Sequence, residues 1–237
     1  MEGVYRRMNI AFFTIVHNED IFLDLWLRYY KKFSPNLFVI NHDSAEEIIR
    51  RDRENHKFTE IQVSHDRLHD AGWMKEIVEE QQRKLLAEFD TVVYVEADEY
   101  LIVDPSKYKD LKDFIEKNKD SRIFATGYNV IQDQENETPL HWQKPILQQR
   151  KYWSPTIPYS KPVITRIPIN WVAGFHSTTD VPDDKNKPMN PYLILVHLRL
   201  ADLDEHNNRR RVSGGGEDYG MVWAGRQEIP KKFKKLL

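Results

Sequence analysis

The sequence predicts an α/β fold: a mostly parallel central sheet, helices on both of its faces and a small C-terminal antiparallel part. Three observations lead there. Short β-branched and aromatic runs alternate with helical periodicity over the first hundred residues, in the order βαβαβαβ, which implies parallel strands joined by crossover helices. The runs 10–16, 37–40 and 91–95 are apolar at odd and even positions alike, the pattern of strands buried on both faces. Each run then stops in polar or acidic residues, as strand ends lining one crevice of an open sheet do.

Taken in order, Ile10 to Val16 form a first strand ending at His17-Asn18-Glu19-Asp20. Phe22, Leu25, Trp26, Tyr29 and Phe33 then recur on one helical face, and Ser34-Pro35-Asn36 ends that helix. Leu37 to Ile40 form the second strand, closed by Asn41-His42-Asp43. Ser44 with Glu47 fits a capping box that opens another helix. Glu60 to Ser64 read as a weaker third strand, followed by His65-Asp66-Arg67. A helix from about Trp73 to Phe89 carries an apolar seam of Met74, Ile77, Val78, Leu85 and Phe89 with Gln81 on it, read as a satisfied core amide. The fourth strand, Thr91 to Val95, runs into Glu96-Ala97-Asp98-Glu99. Beyond it, a helix with Leu111, Phe114 and Ile115 leads to a strand over 122–128. From Gln132 to Ser160 periodicity is lost while Trp142, Tyr152, Trp153 and Tyr159 persist, which predicts an ordered loop. Strands over 161–166, 171–174 and 192–198 and a polar helix over 201–211 complete the pattern, before Gly214-Gly215-Gly216 and Glu217-Asp218.

A chain of 237 residues can bury a full core as one α/β unit. Net charge of −2 gives no bulk attraction for nucleic acid. The absence of cysteine excludes disulfides and thiolate-bound zinc. The first seven residues lack the apolar core of a signal peptide, and the apolar run 10–16 is too short to span a bilayer. These features predict a soluble, cytoplasmic chain. The basic, amphipathic end Lys231-Lys232-Phe233-Lys234-Lys235-Leu236-Leu237 reads as a solvated tail, with weak contact to an anionic membrane surface as the alternative.

The fourth strand carries the chemistry. A doubly buried strand should not run into three carboxylates, because unpaired charges away from water are costly. At the strand's C-terminal edge a divalent cation offsets their repulsion, so an acidic metal and phosphate site is expected there. A plain solvated turn is the competing reading. Glu19-Asp20 have a similar ambiguity, with Asp20 able to cap the first helix and Glu19 the better candidate for a site.

Four blocks then resemble one family. Ile15-Val16-His17-Asn18-Glu19 before a Trp- and Tyr-bearing helix, Glu96-Ala97-Asp98-Glu99-Tyr100-Leu101, Lys161-Pro162-Val163-Ile164 with Gly174-Phe175-His176, and Val196-His197-Leu198-Arg199 resemble, in order, motifs of family 2-like glycosyltransferases of the GT-A fold. The resemblance implies a single domain over 1–237, with 1–105 binding a nucleotide-sugar and 106–237 forming the acceptor side and tail. It implies Mn²⁺ or Mg²⁺ between the donor diphosphate and the acidic turn. Asp98 would be the metal ligand, with Glu96, where the family has Asp, reaching the ribose or a metal-bound water. Asp43, Glu19 and Asp66 would lie on the nucleotide side. A histidine completes the metal set in many relatives: His176, in a loop after glycine, is preferred here to His197, which lies inside an apolar strand.

The family generally inverts the anomeric centre, which requires a general base for the acceptor hydroxyl. Asp218 in the Glu217-Asp218 pair is the first candidate, although its place after His197 departs from the family order, and Asp180 is its competitor. The implied partners are a nucleoside-diphosphate sugar, a UDP-sugar by family frequency, and a glycan or lipid-linked acceptor. The aromatic loop 142–159 would supply the acceptor platform, and Arg150 and Lys151 would meet anionic groups. Two other classes stay open: a metal-dependent phosphoesterase or nucleotidyltransferase, and a non-catalytic nucleotide-sugar-binding domain.

Overall fold

The computed structural model describes residues 8–67, 70–179, 188–212 and 225–237. Four strands, β1 (Ile10–Val16), β2 (Leu37–His42), β3 (Thr59–Val63) and β4 (Thr91–Tyr94), pair in parallel in the order β3-β2-β1-β4. They are connected by α1 (Asp20–Tyr30), α2 (Glu46–Asn55) and α3 (Ala71–Leu86). The alternating apolar runs are therefore the crossover units that the sequence predicts. Beyond β4 the sheet turns mixed: β6 (Arg122–Ile131) and β7 (Tyr152–Pro155) lie past β8 (Pro162–Thr165), which is antiparallel to β4, and β10 (Gln227–Glu228) closes that edge. β9 (Met189–His197) runs parallel to β6, and β5 (Glu99–Val103) runs antiparallel to β9. The antiparallel portion is thus larger than expected, since β5 was not read as a strand at all.

Alternation along β1 divides the core. Phe12 faces one cluster with Trp26, Tyr30 and Tyr100, whereas Ala11 and Phe13 face a second with Val78, Tyr94, Trp171 and Phe175. On the first face α1 is fixed by polar contacts as well as apolar area. Tyr29 Oη donates to the Leu101 carbonyl at 2.7 Å, and Tyr30 Oη donates to the Glu99 carbonyl and accepts from the Leu101 amide, each at 3.0 Å. These bonds anchor the start of β5 directly beneath the acidic turn.

Several local expectations change. α2 begins after Ala45 with no side-chain cap; Ser44 Oγ instead accepts from the Asn18 amide at 3.0 Å, tying the β2–α2 turn to the β1–α1 turn. α3 is capped by Asp70, whose Oδ1 accepts from the Trp73 amide. Its buried polar residues are Glu79 and Gln82 rather than Gln81. Gln82 Oε1 accepts from the Ile169 amide and Glu79 Oε1 from the Trp171 amide, at 2.7 and 2.8 Å. Those two bonds serve a non-strand segment: 171–174 is a turn with one bridge, Trp171 to Thr178, and not the strand expected, because Gly174 and Phe175 both take positive φ. The expected polar helix is α5 (Leu203–Val212), and α4 (Leu111–Lys117) lies where predicted.

The basic end folds back. Phe233 is buried, Leu236 and Leu237 pack against the main core, and the Leu147 amide donates to the Leu237 carbonyl at 3.3 Å. Lys232 Nζ meets Asp104 at 2.6 Å and Lys234 Nζ donates to the Arg150 carbonyl. The apolar half of this amphipathic segment is therefore spent on the core in this conformation. Among the described residues no helix is long and apolar enough to cross a membrane.

Candidate functional site

The C-terminal ends of β1, β2 and β4 open on a cavity of about 600 Å³, the place where open α/β sheets hold ligands. Asn18 and Asp43 lie in the turns just after β1 and β2, with φ of 54° and 48°, a left-handed geometry that Asn and Asp tolerate better than most residues. It lets the chain turn sharply at the rim. From β1 the cavity receives Glu19, from the β4–β5 turn Glu96 and Asp98, from β9 His197, from α5 Glu205 and Arg209, and from the loops Tyr159 and His176.

The β5–β9 register decides what meets Asp98. Glu99 lies opposite His197, and the Leu198 amide donates to the Asp98 carbonyl at 2.9 Å. His197 Nε2 therefore lies 3.6 Å from Asp98 Oδ2, while its Nδ1 is 2.6 Å from Asn129 Oδ1. Arg209 spans the same carboxylate and its neighbour: Nη1 donates to Asp98 Oδ2 at 2.9 Å and Nη2 to Glu19 Oε1 at 2.7 Å. Burial works to raise the Asp98 carboxyl, but His197 and Arg209 outweigh it and hold it well below the usual carboxylate range.

Behind the turn lies a second ionic group. Lys161, 1% exposed, places Nζ 3.1 Å from Glu96 Oε2 and 2.7 Å from Glu99 Oε1, and Glu99 Oε2 accepts from the Glu96 amide at 2.9 Å. Burial acts to lower the Lys161 ammonium, yet the two carboxylates outweigh it and raise it above its ordinary value. One ammonium cannot neutralise two acids. Glu96 reaches the cavity, whereas Glu99 is fully buried, and burial pushes the Glu99 carboxyl up to about 7. The pair fixes the Glu96 backbone and side chain together.

Tyr159 roofs the site. Its ring stacks on His197 at 3.9 Å and meets His176 edge-on at 5.3 Å. The backbone of Tyr159 comes so close to Gly127 on β6 that a Cβ there would lie 2.5 Å from the Tyr159 carbonyl carbon. Gly127→Ala is expected to cost about 1–3 kcal/mol and to lift Tyr159 off His197. Chemical denaturation and the ring-current shift on the His197 imidazole protons test this; an unchanged imidazole shift would show that the stack does not depend on that approach.

Comparison with known proteins gives little beyond this geometry. No protein-family model matches the chain, and no curated protein does. Among solved structures, the chain is similar to HddC from Yersinia pseudotuberculosis, at 12% identity over 81% of this chain and 90% of that one, with a TM-score of 0.33. A likeness that weak supports no statement about family or chemistry.

The site residues expected from sequence are placed unequally. Glu19, Glu96, Asp98, His176 and His197 all line the cavity. His197 is the imidazole beside Asp98; His176 is turned so that Nδ1 lies 3.0 Å from the Pro158 carbonyl, with Tyr159 touching both rings. Asp43 lies outside the cavity lining, bound by Gln62 Nε2 at 3.2 Å and Ser64 Oγ at 2.7 Å, and Asp66 is exposed after β3. Asp20 pairs with Arg51 and caps nothing. Arg150 is buried, its side chain donating to the Ala201 and Gln149 carbonyls 3.7 Å from Glu137, so it meets no outside anion. Lys151 reaches Glu228 at 3.5 Å. Asp180, Glu217 and Asp218 lie outside the described residues. Sequence reading missed Arg209 and the role of Lys161. Buried Glu99 beside Glu96 signals a lysine counter-ion, but nothing in the polar run 201–211 singles out Arg209.

Two donors on the cavity wall are of types that bind divalent cations. A carboxylate oxygen and an imidazole nitrogen 3.6 Å apart on one cavity wall form a mixed O/N pair, which Mn²⁺ accepts more readily than Mg²⁺. No cluster of three or more metal-binding side chains occurs among the described residues.

Glu19 carries the clearest pH signature. Burial pushes its carboxyl from an ordinary 4.5 up to about 7, with Arg209 opposing and Asp98 adding to the rise. The folded protein thus holds this proton more tightly than the unfolded chain. The resulting stabilisation is full below about pH 4.5 and is lost as pH rises through 7. Glu19→Gln should remove the dependence. The stability of the wild type relative to the variant should fall by about 1–3 kcal/mol between pH 4.5 and 7.5; a flat difference would show that Glu19 is ionised throughout.

Proposed function

We propose that this chain is a metal-dependent glycosyltransferase of the GT-A type, moving a sugar from a nucleoside-diphosphate donor to a hydroxyl acceptor, with inversion. One observation carries this reading. Glu19 after β1, Glu96 and Asp98 in the β4–β5 turn and His197 at the end of β9 converge on a single cavity at one edge of the sheet. Asp98 and His197 would hold the cation, Mn²⁺ by donor type, and when bound it supplies positive charge to the departing diphosphate.

The chain's own residues do the rest. Lys161 and Glu99 hold Glu96 at the cavity wall, where it can accept from a donor hydroxyl or a bound water. Glu19 is the cavity carboxylate nearest the β1 end and suits the nucleoside part. Tyr159, stacked on His197, limits the water that reaches Asp98. The acceptor base is assigned to Asp218, with Glu217 and Asp180 as the other candidates. The working place is cytoplasmic, with peripheral membrane contact limited to the exposed lysines of the C-terminal segment.

Thermal shift of the wild type with Mn²⁺ alone, with Mn²⁺ and UDP, and with Mn²⁺ and GDP tests the proposal. A stabilisation that needs both metal and nucleotide is expected, and no nucleotide effect overturns the proposal. Donor hydrolysis without acceptor then separates an enzyme from a binding-only domain. Release of phosphate from simple phosphate esters would point to the phosphoesterase class instead.

A further inference from the structure

Asp98 Oδ2 has two claims on it. It accepts from Arg209 Nη1 at 2.9 Å and faces His197 Nε2 at 3.6 Å. A cation taking that oxygen would lie beside a full positive charge in a partly desolvated cavity, where like charges repel strongly. Arg209 and a divalent cation therefore compete for one carboxylate. The arginine already faces the cavity. Its side chain is 31% exposed and lines the cavity, and its guanidinium rests on the Phe22 ring at 4.7 Å. That ring gives it a cation–π seat independent of the carboxylates. A guanidinium presents a planar fork of donors, matched to phosphate oxygens.

We infer that Arg209 is a diphosphate-binding residue, parked on Asp98 and Glu19 until a divalent cation and a nucleoside diphosphate enter together. The inference rests on the functional reading above and extends it. Without either ligand, the arginine answers two carboxylates that would otherwise repel. With a cation and a diphosphate bound together, Asp98 would serve the cation and Arg209 would pass to the phosphates. Cation binding alone is consequently opposed, and nucleotide binding is cooperative with cation.

The test uses two binding measurements that a merely structural arginine would move in the same direction. Mn²⁺ alone is titrated by the electron paramagnetic resonance signal of the free ion, and UDP or GDP by calorimetry at saturating Mn²⁺. For Arg209→Gln, Mn²⁺ alone should bind several-fold tighter, while the nucleoside diphosphate should bind roughly tenfold weaker. Arg209→Lys keeps a charge but loses the fork. It should leave Mn²⁺ affinity near that of the wild type and weaken the nucleotide by a few-fold, so it carries the test if the Gln variant fails to fold. Two affinities that weaken together, or neither changing, overturn the inference. A wild type that binds neither nucleotide with Mn²⁺ overturns the functional reading itself, and that result is seen before any variant is made.

Discussion

Replacing Lys161 with Met is expected to destabilise the protein by about 3–5 kcal/mol, because it removes a buried cation shared by Glu96 and Glu99. Glu99 cannot move to water; it is fully buried and lies at the start of β5 under the Tyr30 hydroxyl. It must take up a proton instead. Its carboxyl is already raised by burial with Lys161 present, so without the lysine it rises further. The sign follows: an acid whose folded pKa is raised favours the folded state at low pH, so the loss in Lys161→Met should shrink as pH falls from 8 to 5. Lys161→Met combined with Glu99→Gln should recover most of the stability, since the remaining acid, Glu96, reaches solvent. Urea denaturation of the two variants at pH 5 and pH 8 measures both effects. Equal losses at the two pH values, or no recovery in the double variant, would show that the ion pair is not what stabilises the turn.

Asp98→Asn should abolish cation-dependent nucleotide binding while leaving a folded protein. The change keeps size and shape but removes the charge that pairs with Arg209 and faces His197. Loss of an outer partner of a metal site costs roughly 10–100-fold in affinity, and loss of the carboxylate proposed to hold the cation should exceed that. The stability cost should be smaller, about 1.5–3 kcal/mol, the usual worth of a hydrogen bond to a charged group. Arg209 keeps Glu19 as a partner. Calorimetric titration with UDP and Mn²⁺ checks the first effect and thermal unfolding the second. Retention of a Mn²⁺-dependent nucleotide shift in Asp98→Asn would remove Asp98 from the site.

The parallel half of the sheet was legible in the sequence because its strands are apolar on both faces and its crossover helices carry a 3.6-residue stripe. Ile10–Val16 is read with the bounds that the structure gives. The acidic turn was legible for the complementary reason, since three carboxylates after a buried run need an explanation. Gln81 was read one position away from Gln82, the amide that the fold buries, because a single-residue offset changes little in a helical pattern and everything in a contact. β5 was missed because Glu99 opens it, and a fully buried glutamate makes sense only with Lys161 alongside, 62 residues later in the chain. His176 was preferred to His197 because a loop histidine looks freer than one inside an apolar strand. That preference could not include register. β9 carries His197 to the very end of the strand, opposite Glu99, where its side chain is already at the cavity.

By itself, then, the sequence determined the parallel α/β frame, the crevice edge and the identity of Asp98 and Glu96 as the residues there, because burial period and the cost of isolated charge are local properties of a chain. Only the tertiary structure decided which side chains answer those acids. Lys161, His197 and Arg209 come from three later segments, and their distances to the turn depend on strand register, on the close approach at Gly127 and on the docking of α5. Electrostatic partnership falls off over a few ångströms, and no spacing along the sequence encodes it.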